Sequence, residues 1–155
     1  MRRHLAGRAV AAGLVVVAGL LAGCGYSGTP DQKVQEWAKQ SSFVSDNDTL
    51  VDDIVRVHRA VKIGTAEQLR TICGGFAYDV GTAYDTLPTP DQALTNDLNQ
   101  ADTAFLAAAT TCGDVSSVTS PAMKGVVRNI NSGLGALERA QRLLQSLGLS
   151  WKVHL

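Results

Sequence analysis

The amino-acid sequence predicts an all-α protein, an antiparallel four-helix bundle with a short leading helix, closed by one disulfide. Apolar residues recur at intervals of three and four in four long segments, and this spacing places them on one face of a helix. Residues that cap helices precede these segments, and no segment alternates polar and apolar residues for long enough to predict a sheet. Because the connections are short, neighbouring helices are expected to run antiparallel.

The first 23 of the 155 residues have the pattern of a targeting segment. Arg2, Arg3 and Arg8 make it basic, and the run Ala9–Ala22 carries no charge. This run is too short for a membrane span, which needs roughly 20 residues, but it suits the apolar part of a signal peptide. Removing residues 1–23 takes away three of the 14 basic side chains and none of the 14 acidic ones, so the rest of the chain is net acidic.

The segment ends in Leu21-Ala22-Gly23-Cys24, which resembles the lipobox of bacterial lipoproteins. The resemblance implies cleavage between Gly23 and Cys24, acylation of the Cys24 thiol, and a lipid-anchored protein at the extracytoplasmic face of the cell membrane. Residues 24–28 then form a tether, and residues 29–155 form the bundle domain. An ordinary secretory peptide that leaves Cys24 free is the alternative. The architecture resembles small actinobacterial lipoproteins of unknown function, and this likeness transfers no active site.

Helix starts are predicted where a capping residue is followed by Pro or, three residues on, by Gln. These starts are at Thr29, Thr65, Thr89 and Ser120. The first opens a short leading helix over residues 31–42, which carries Val34 and Trp37.

Each longer helix carries one apolar stripe, and together the four stripes are the predicted core. They consist of Leu50, Ile54, Val57 and Val61; of Leu69, Cys73, Phe76, Val80, Ala83 and Leu87; of Leu94, Leu98, Ala101, Phe105, Ala108 and Cys112; and of Met123, Val127, Ile130, Leu134 and Leu137, shifting to Leu143 and Leu147.

Cys73 and Cys112 lie in the stripes of consecutive helices, and an exported chain meets an oxidising environment, which favours a disulfide between them. A tight hairpin would leave Cys112 roughly 10 Å out of register with Cys73. Extended residues before Pro88 and Pro90 recover that length. Two buried thiols are the alternative, and a redox-active pair is disfavoured because the CxxC spacing is absent.

His58 is the one candidate ligand for haem or a metal, since it borders the first stripe and Met123 or His154 could lie near it in a bundle. No CxxCH, HExxH or paired Glu-x-x-His motif accompanies it, and a structural role is favoured. Neither a metal site nor a cofactor is predicted.

The remaining polar features predict no chemistry. Asp46, Asp48, Asp52 and Asp53 lack the Gly and distal Glu of a calcium loop and are expected to precede and open a helix. There is no GxSxG motif, and Gly74-Gly75 lies within a helical pattern. Tyr78 and Tyr84 could line a shallow groove, and residues 149–155 either fold back on the bundle or bind a partner.

The sequence therefore predicts a non-catalytic binding or scaffolding protein rather than an enzyme. Its expected partners are the membrane, through the lipid anchor, and a protein of unknown identity; balanced charge argues against nucleic acid. The alternative is a carrier that binds haem or a lipid inside the bundle.

Overall fold

The computed structural model describes residues 26–151 and is all-helical over that range. The helices are α1 (Pro30–Gln40), α2 (Phe43–Ile63), α3 (Ala66–Tyr84), α4 (Gln92–Asp114) and α5 (Met123–Ser146). The predicted all-α class is confirmed for the described part of the chain. The signal peptide, the lipobox with Gly23 and Cys24, and His154 lie outside the described residues.

Two of the predicted helix starts are complete capping boxes. The Thr29 hydroxyl accepts a hydrogen bond from the backbone N–H of Gln32, and the Gln32 side chain accepts one from the Thr29 N–H, at 3.3 and 2.9 Å. Thr65 and Gln68 repeat this arrangement at 3.2 and 3.0 Å. These reciprocal bonds satisfy backbone donors that the first helical turn leaves without a partner.

The other two helices begin later than predicted from Thr89 and Ser120. Asp91, not Thr89, caps α4, and its carboxylate accepts a 2.7 Å hydrogen bond from the Leu94 N–H. A carboxylate at this position also interacts favourably with the helix dipole. Thr89 is instead buried in the preceding turn, where its N–H donates to the Thr95 hydroxyl at 2.9 Å. The fourth start also lies later, since α5 begins at Met123.

Consecutive long helices are neighbours: α2 packs on α3, α3 on α4 and α4 on α5, while α2 also meets α5. The short helix α1 lies at one end of this arrangement. Its Trp37 donates a hydrogen bond to the Thr86 carbonyl after α3, and its Gln35 donates one to the Leu147 carbonyl after α5. The Trp37 ring is 5.0 Å from Phe43 at the start of α2. The start of α2 and the ends of α3 and α5 therefore lie at the same end of the molecule.

The predicted stripes form the core, except that Val61, Leu87 and Val127 are only half-buried and that the end of the fourth stripe differs. The third stripe is entirely buried, and so is the second up to Ala83. In α5 the predicted Leu143 and Leu147 are only partly buried against the core, and the fully buried residues there are Ala140 and Leu144. The buried positions continue at the helical period and include the small residue Ala140, whereas the prediction assigned burial to the larger leucines.

Phe105 of α4 packs directly against Gly133 of α5. A Cβ atom added at Gly133 would lie 2.6 Å from Cδ1 and 2.7 Å from Cζ of the Phe105 ring, so only glycine fits beneath that ring. Phe105 also meets Phe76 of α3, with ring centroids 6.0 Å apart and the ring planes at 69°. By contrast, a Cβ at Gly135 would meet nothing within 4 Å. Three helices are thus packed around one aromatic ring.

Cys73 of α3 and Cys112 of α4 lie at disulfide distance, with Cα atoms 5.7 Å apart. Both side chains are buried. Residues 85–91 form a non-helical connection between these helices.

Candidate functional site

The candidate site is a groove between the last turns of α2 and the first turns of α3. It has a volume of about 320 Å³ and is open to the surface. Its walls include Arg56, Arg59, Ala60, Ile63, Gln68 and Ile72.

A tight turn brings the two walls together. Gly64 ends α2, and its N–H donates a 2.9 Å hydrogen bond to the Ala60 carbonyl. A Cβ at Gly64 would lie 2.6 Å from that same carbonyl oxygen, so the position demands glycine. Thr65 follows at once as the N-cap of α3. The groove therefore lies beside the turn at Gly64 and Thr65, where the chain reverses direction between α2 and α3.

The groove combines an exposed apolar side chain with an unpaired cation, and a second unpaired cation lies beside it. Ile63 is 82% exposed, more than any other large exposed hydrophobic residue in the described chain. Arg59 of the groove wall and Lys62, which lines the adjoining depression on the outer face of α2, are also exposed. Within residues 26–151 neither of them forms an ion pair. An apolar group rimmed by unpaired cations is suited to binding a ligand that carries both apolar and acidic groups.

His58 lies on the adjoining outer face of α2. It lines a shallow depression with Val55, Arg59 and Lys62, whereas Met123 is buried in the core. The groups next to His58 are therefore cations, which disfavour a bound metal ion. Among the described residues, no three His, Cys, Asp or Glu side chains are grouped so that they could hold a metal.

Arg56 of the groove wall forms an ion pair with a buried carboxyl group. Its Nη1 donates a 3.1 Å hydrogen bond to Oδ1 of Asp53, whose residue is only 4% exposed. The other oxygen, Oδ2, is buried with no hydrogen-bond donor in the described chain. Asp79 of α3 lies close enough for its carboxyl group to interact with that of Asp53.

Burial is the main reason that the pKa of Asp53 is raised to about 6. The neighbouring carboxyl group of Asp79 raises this pKa further, while Arg56 lowers it. A buried carboxyl group beside a second one behaves in this way because its charged form is poorly solvated and like charges repel.

The expectation that the four acids of this region precede and open a helix holds only for Asp46, which lies in the first turn of α2. The helix begins earlier, at Phe43, because Phe43 packs with Trp37 and Trp151 in the aromatic cluster at that end. Asp46, Asp48, Asp52 and Asp53 all therefore lie within α2.

Sequence reasoning missed the Asp53–Asp79 pair, although a signal was present. Asp53 is three residues after Leu50 and four before Val57, while Asp79 is three after Phe76 and four before Ala83. Each acid thus occupies a position of the helical period that faces the core. A search for polar residues at apolar positions would have found both.

The predicted tyrosine groove is also wrong. Tyr84 is buried and its hydroxyl has no hydrogen-bond partner in the described chain, whereas Tyr78 is 75% exposed. Burial raises the pKa of the Tyr84 phenol above its ordinary value. Of the two predictions for the C-terminal segment, folding back is correct for Trp151, which is buried against Phe43 with ring centroids 5.1 Å apart.

Comparison with models of known protein families, with curated proteins and with solved structures finds no match for this chain. In the part of the chain that the structure describes, no helix is both long and apolar enough to cross a membrane.

Proposed function

We propose that the protein is an exported, lipid-anchored binding or scaffolding protein that acts without catalysis at the outer face of the cell membrane. In this proposal α2–α5 form an antiparallel four-helix bundle, α1 is the leading helix, and acyl chains on Cys24 hold the molecule at the membrane. The observation that carries the proposal is the α2–α3 groove, where exposed Ile63 lies beside unpaired Arg59. Its walls supply binding chemistry and no pair of groups suited to proton or nucleophile transfer.

The position of the groove fits such an anchor. Tyr26, the first described residue, lies beside Pro88, Thr89 and Pro90 at the end of the molecule where α1 packs. The groove lies at the opposite end of α2, whose 21 residues span roughly 30 Å. A tether formed by residues 24–28 would thus hold the groove away from the membrane, where a partner can reach it.

The alternative function, a carrier of haem or a lipid inside the bundle, has less support. Phe76, Phe105 and Ile130 are fully buried and fill the space between their helices, and His58 lies on the outer face of α2. Binding at the surface therefore requires less rearrangement than binding inside.

The lipid anchor is tested by Cys24→Ala in a lipoprotein-processing bacterial host. The variant is expected to accumulate as a longer precursor that lacks the acyl chains, while the control Ser27→Ala is processed normally. The measurements are the mass of the product and its release from membranes by detergent. Normal processing and acylation of Cys24→Ala would contradict the proposal.

A further inference from the structure

We infer that the α2–α3 groove binds one face of an acidic amphipathic helix from a partner protein. The inference rests on the proposed function, because it names the partner class of the same groove. Charge, apolar exposure and the shape of the groove support it independently.

The positive charge of the groove predicts that the binding surface of the partner is negatively charged. Residues 55–63 of α2 contain Arg56, Arg59 and Lys62 and no acidic residue. Asp53 already neutralises part of the Arg56 charge through their ion pair, but Arg59 and Lys62 have no acidic partner in the described chain. Carboxylates on an incoming segment would supply these partners, and a guanidinium can bind a carboxylate through two parallel hydrogen bonds.

The exposed apolar surface of the groove predicts that the partner also carries apolar side chains. Ile63 projects into solvent with 82% of its surface exposed, and Ala60 and the half-buried Ile72 continue the apolar wall across the groove. A purely acidic chain would leave this surface exposed to water. A partner with a row of apolar side chains between its acids would cover it.

Shape favours a helical partner. Both walls are helices, whose backbone hydrogen bonds are already made, so they offer no strand edge to which an extended peptide could pair. A helix satisfies its own backbone groups and can lay one apolar stripe between two others. The distance along α2 from Arg56 to Ile63 is about 10 Å, which matches two turns of a docked helix.

A lipid headgroup is the competing anionic ligand. The groove lies at the end of the molecule opposite Tyr26, where the chain would lead toward its anchor. The protein's own membrane is therefore the less accessible anionic surface, and the acidic helix is favoured.

The test measures binding of a labelled synthetic peptide to the purified full chain in a non-ionic detergent, by fluorescence anisotropy. The peptide has about 18 residues, with leucine at helical spacing, glutamate beside it and an alanine background. A matched peptide has lysine in place of every glutamate. The expected Kd of the glutamate peptide is about 1–100 µM, as for a small transient interface, and the lysine peptide should not bind.

Two substitutions in the groove and two controls locate the site. Arg59→Glu and Ile63→Ser should each weaken binding at least about tenfold. Arg128→Glu makes the same charge change on α5, and Val44→Ser removes an exposed apolar side chain elsewhere on α2; both should change the Kd less than about twofold. Far-UV circular dichroism and thermal unfolding check that each variant is folded.

The inference is overturned if the lysine peptide binds equally well, or if a folded Arg59→Glu variant binds the glutamate peptide unchanged. It is also overturned if phosphatidylglycerol in mixed micelles of the same detergent binds through Arg59 and Ile63 while the peptide does not, since the ligand is then a lipid. Failure of the anchor test at Cys24 would instead overturn the proposed function and leave the peptide result standing.

Discussion

Replacing Asp53 by Asn should stabilise the protein at neutral pH. The carboxyl group of Asp53 is buried, and its pKa is raised to about 6 by burial and by Asp79. At neutral pH it must therefore be ionised in an environment that favours its neutral form. Asn has nearly the same shape, accepts the hydrogen bond of Arg56 through its carbonyl oxygen, and can donate one to Asp79.

The magnitude follows from the pKa. Each unit of pKa difference corresponds to about 1.4 kcal/mol, so a rise from 3.8 to about 6 corresponds to about 3 kcal/mol as an upper value. Because this pKa is higher in the folded state, the contribution to stability is fully present below about pH 4 and is lost as the pH rises to about 6. Relaxation of the pair and the lost ion pair with Arg56, whose side chain is 65% exposed, reduce the expected gain to about 1–3 kcal/mol.

Urea unfolding of the purified chain, followed by far-UV circular dichroism, measures the effect. Asp53→Asn should raise the free energy of unfolding near pH 7 and leave it nearly unchanged near pH 4. Asp52→Asn makes the same charge change at an exposed neighbour and should stay within about 0.5 kcal/mol at both pH values. If Asp53→Asn instead lowers the free energy of unfolding by more than about 1 kcal/mol near pH 7, the prediction is wrong. The ion pair with Arg56 would then stabilise the folded state by more than burial of the carboxylate destabilises it.

Four further variants test the packing by the same unfolding measurement. Gly133→Ala should destabilise the protein by about 1–3 kcal/mol because it collides with an aromatic ring, whereas Gly135→Ala should stabilise it by about 0.5–1 kcal/mol; equal effects would contradict this packing. Replacing Cys73 and Cys112 together by Ala should cost about 2–5 kcal/mol, and thiol titration of denatured, unreduced protein should find neither cysteine free. Tyr84→Phe removes a buried hydroxyl without a partner and should be neutral or stabilising by up to about 1 kcal/mol; a clear loss would indicate an unseen partner.

Much of the local structure could be predicted from sequence because its causes are local. The capping boxes at Thr29 and Thr65 depend on side chains three residues apart, and both form as expected. The buried stripe from Leu94 to Cys112 follows from helical period and apolarity alone. Prediction failed where a local pattern had competing outcomes, as at Thr89, where the neighbouring Asp91 takes the cap.

The candidate site could be predicted only in part. The cations and apolar residues of α2 are visible in the sequence, but Ile63 and Ile72 become one surface only through the reversal at Gly64. Local spacing reveals which residues share a face of one helix. It does not reveal which faces of two helices meet.

Helical period and capping act over three or four residues, so the helices, most of their buried faces and the cysteines suited to pairing follow from local sequence. The contacts between Asp53 and Asp79 and between Phe105 and Gly133 do not follow from it. Both contacts depend on the rotation and separation of neighbouring helices, which are set by how all the side chains of the core fit together.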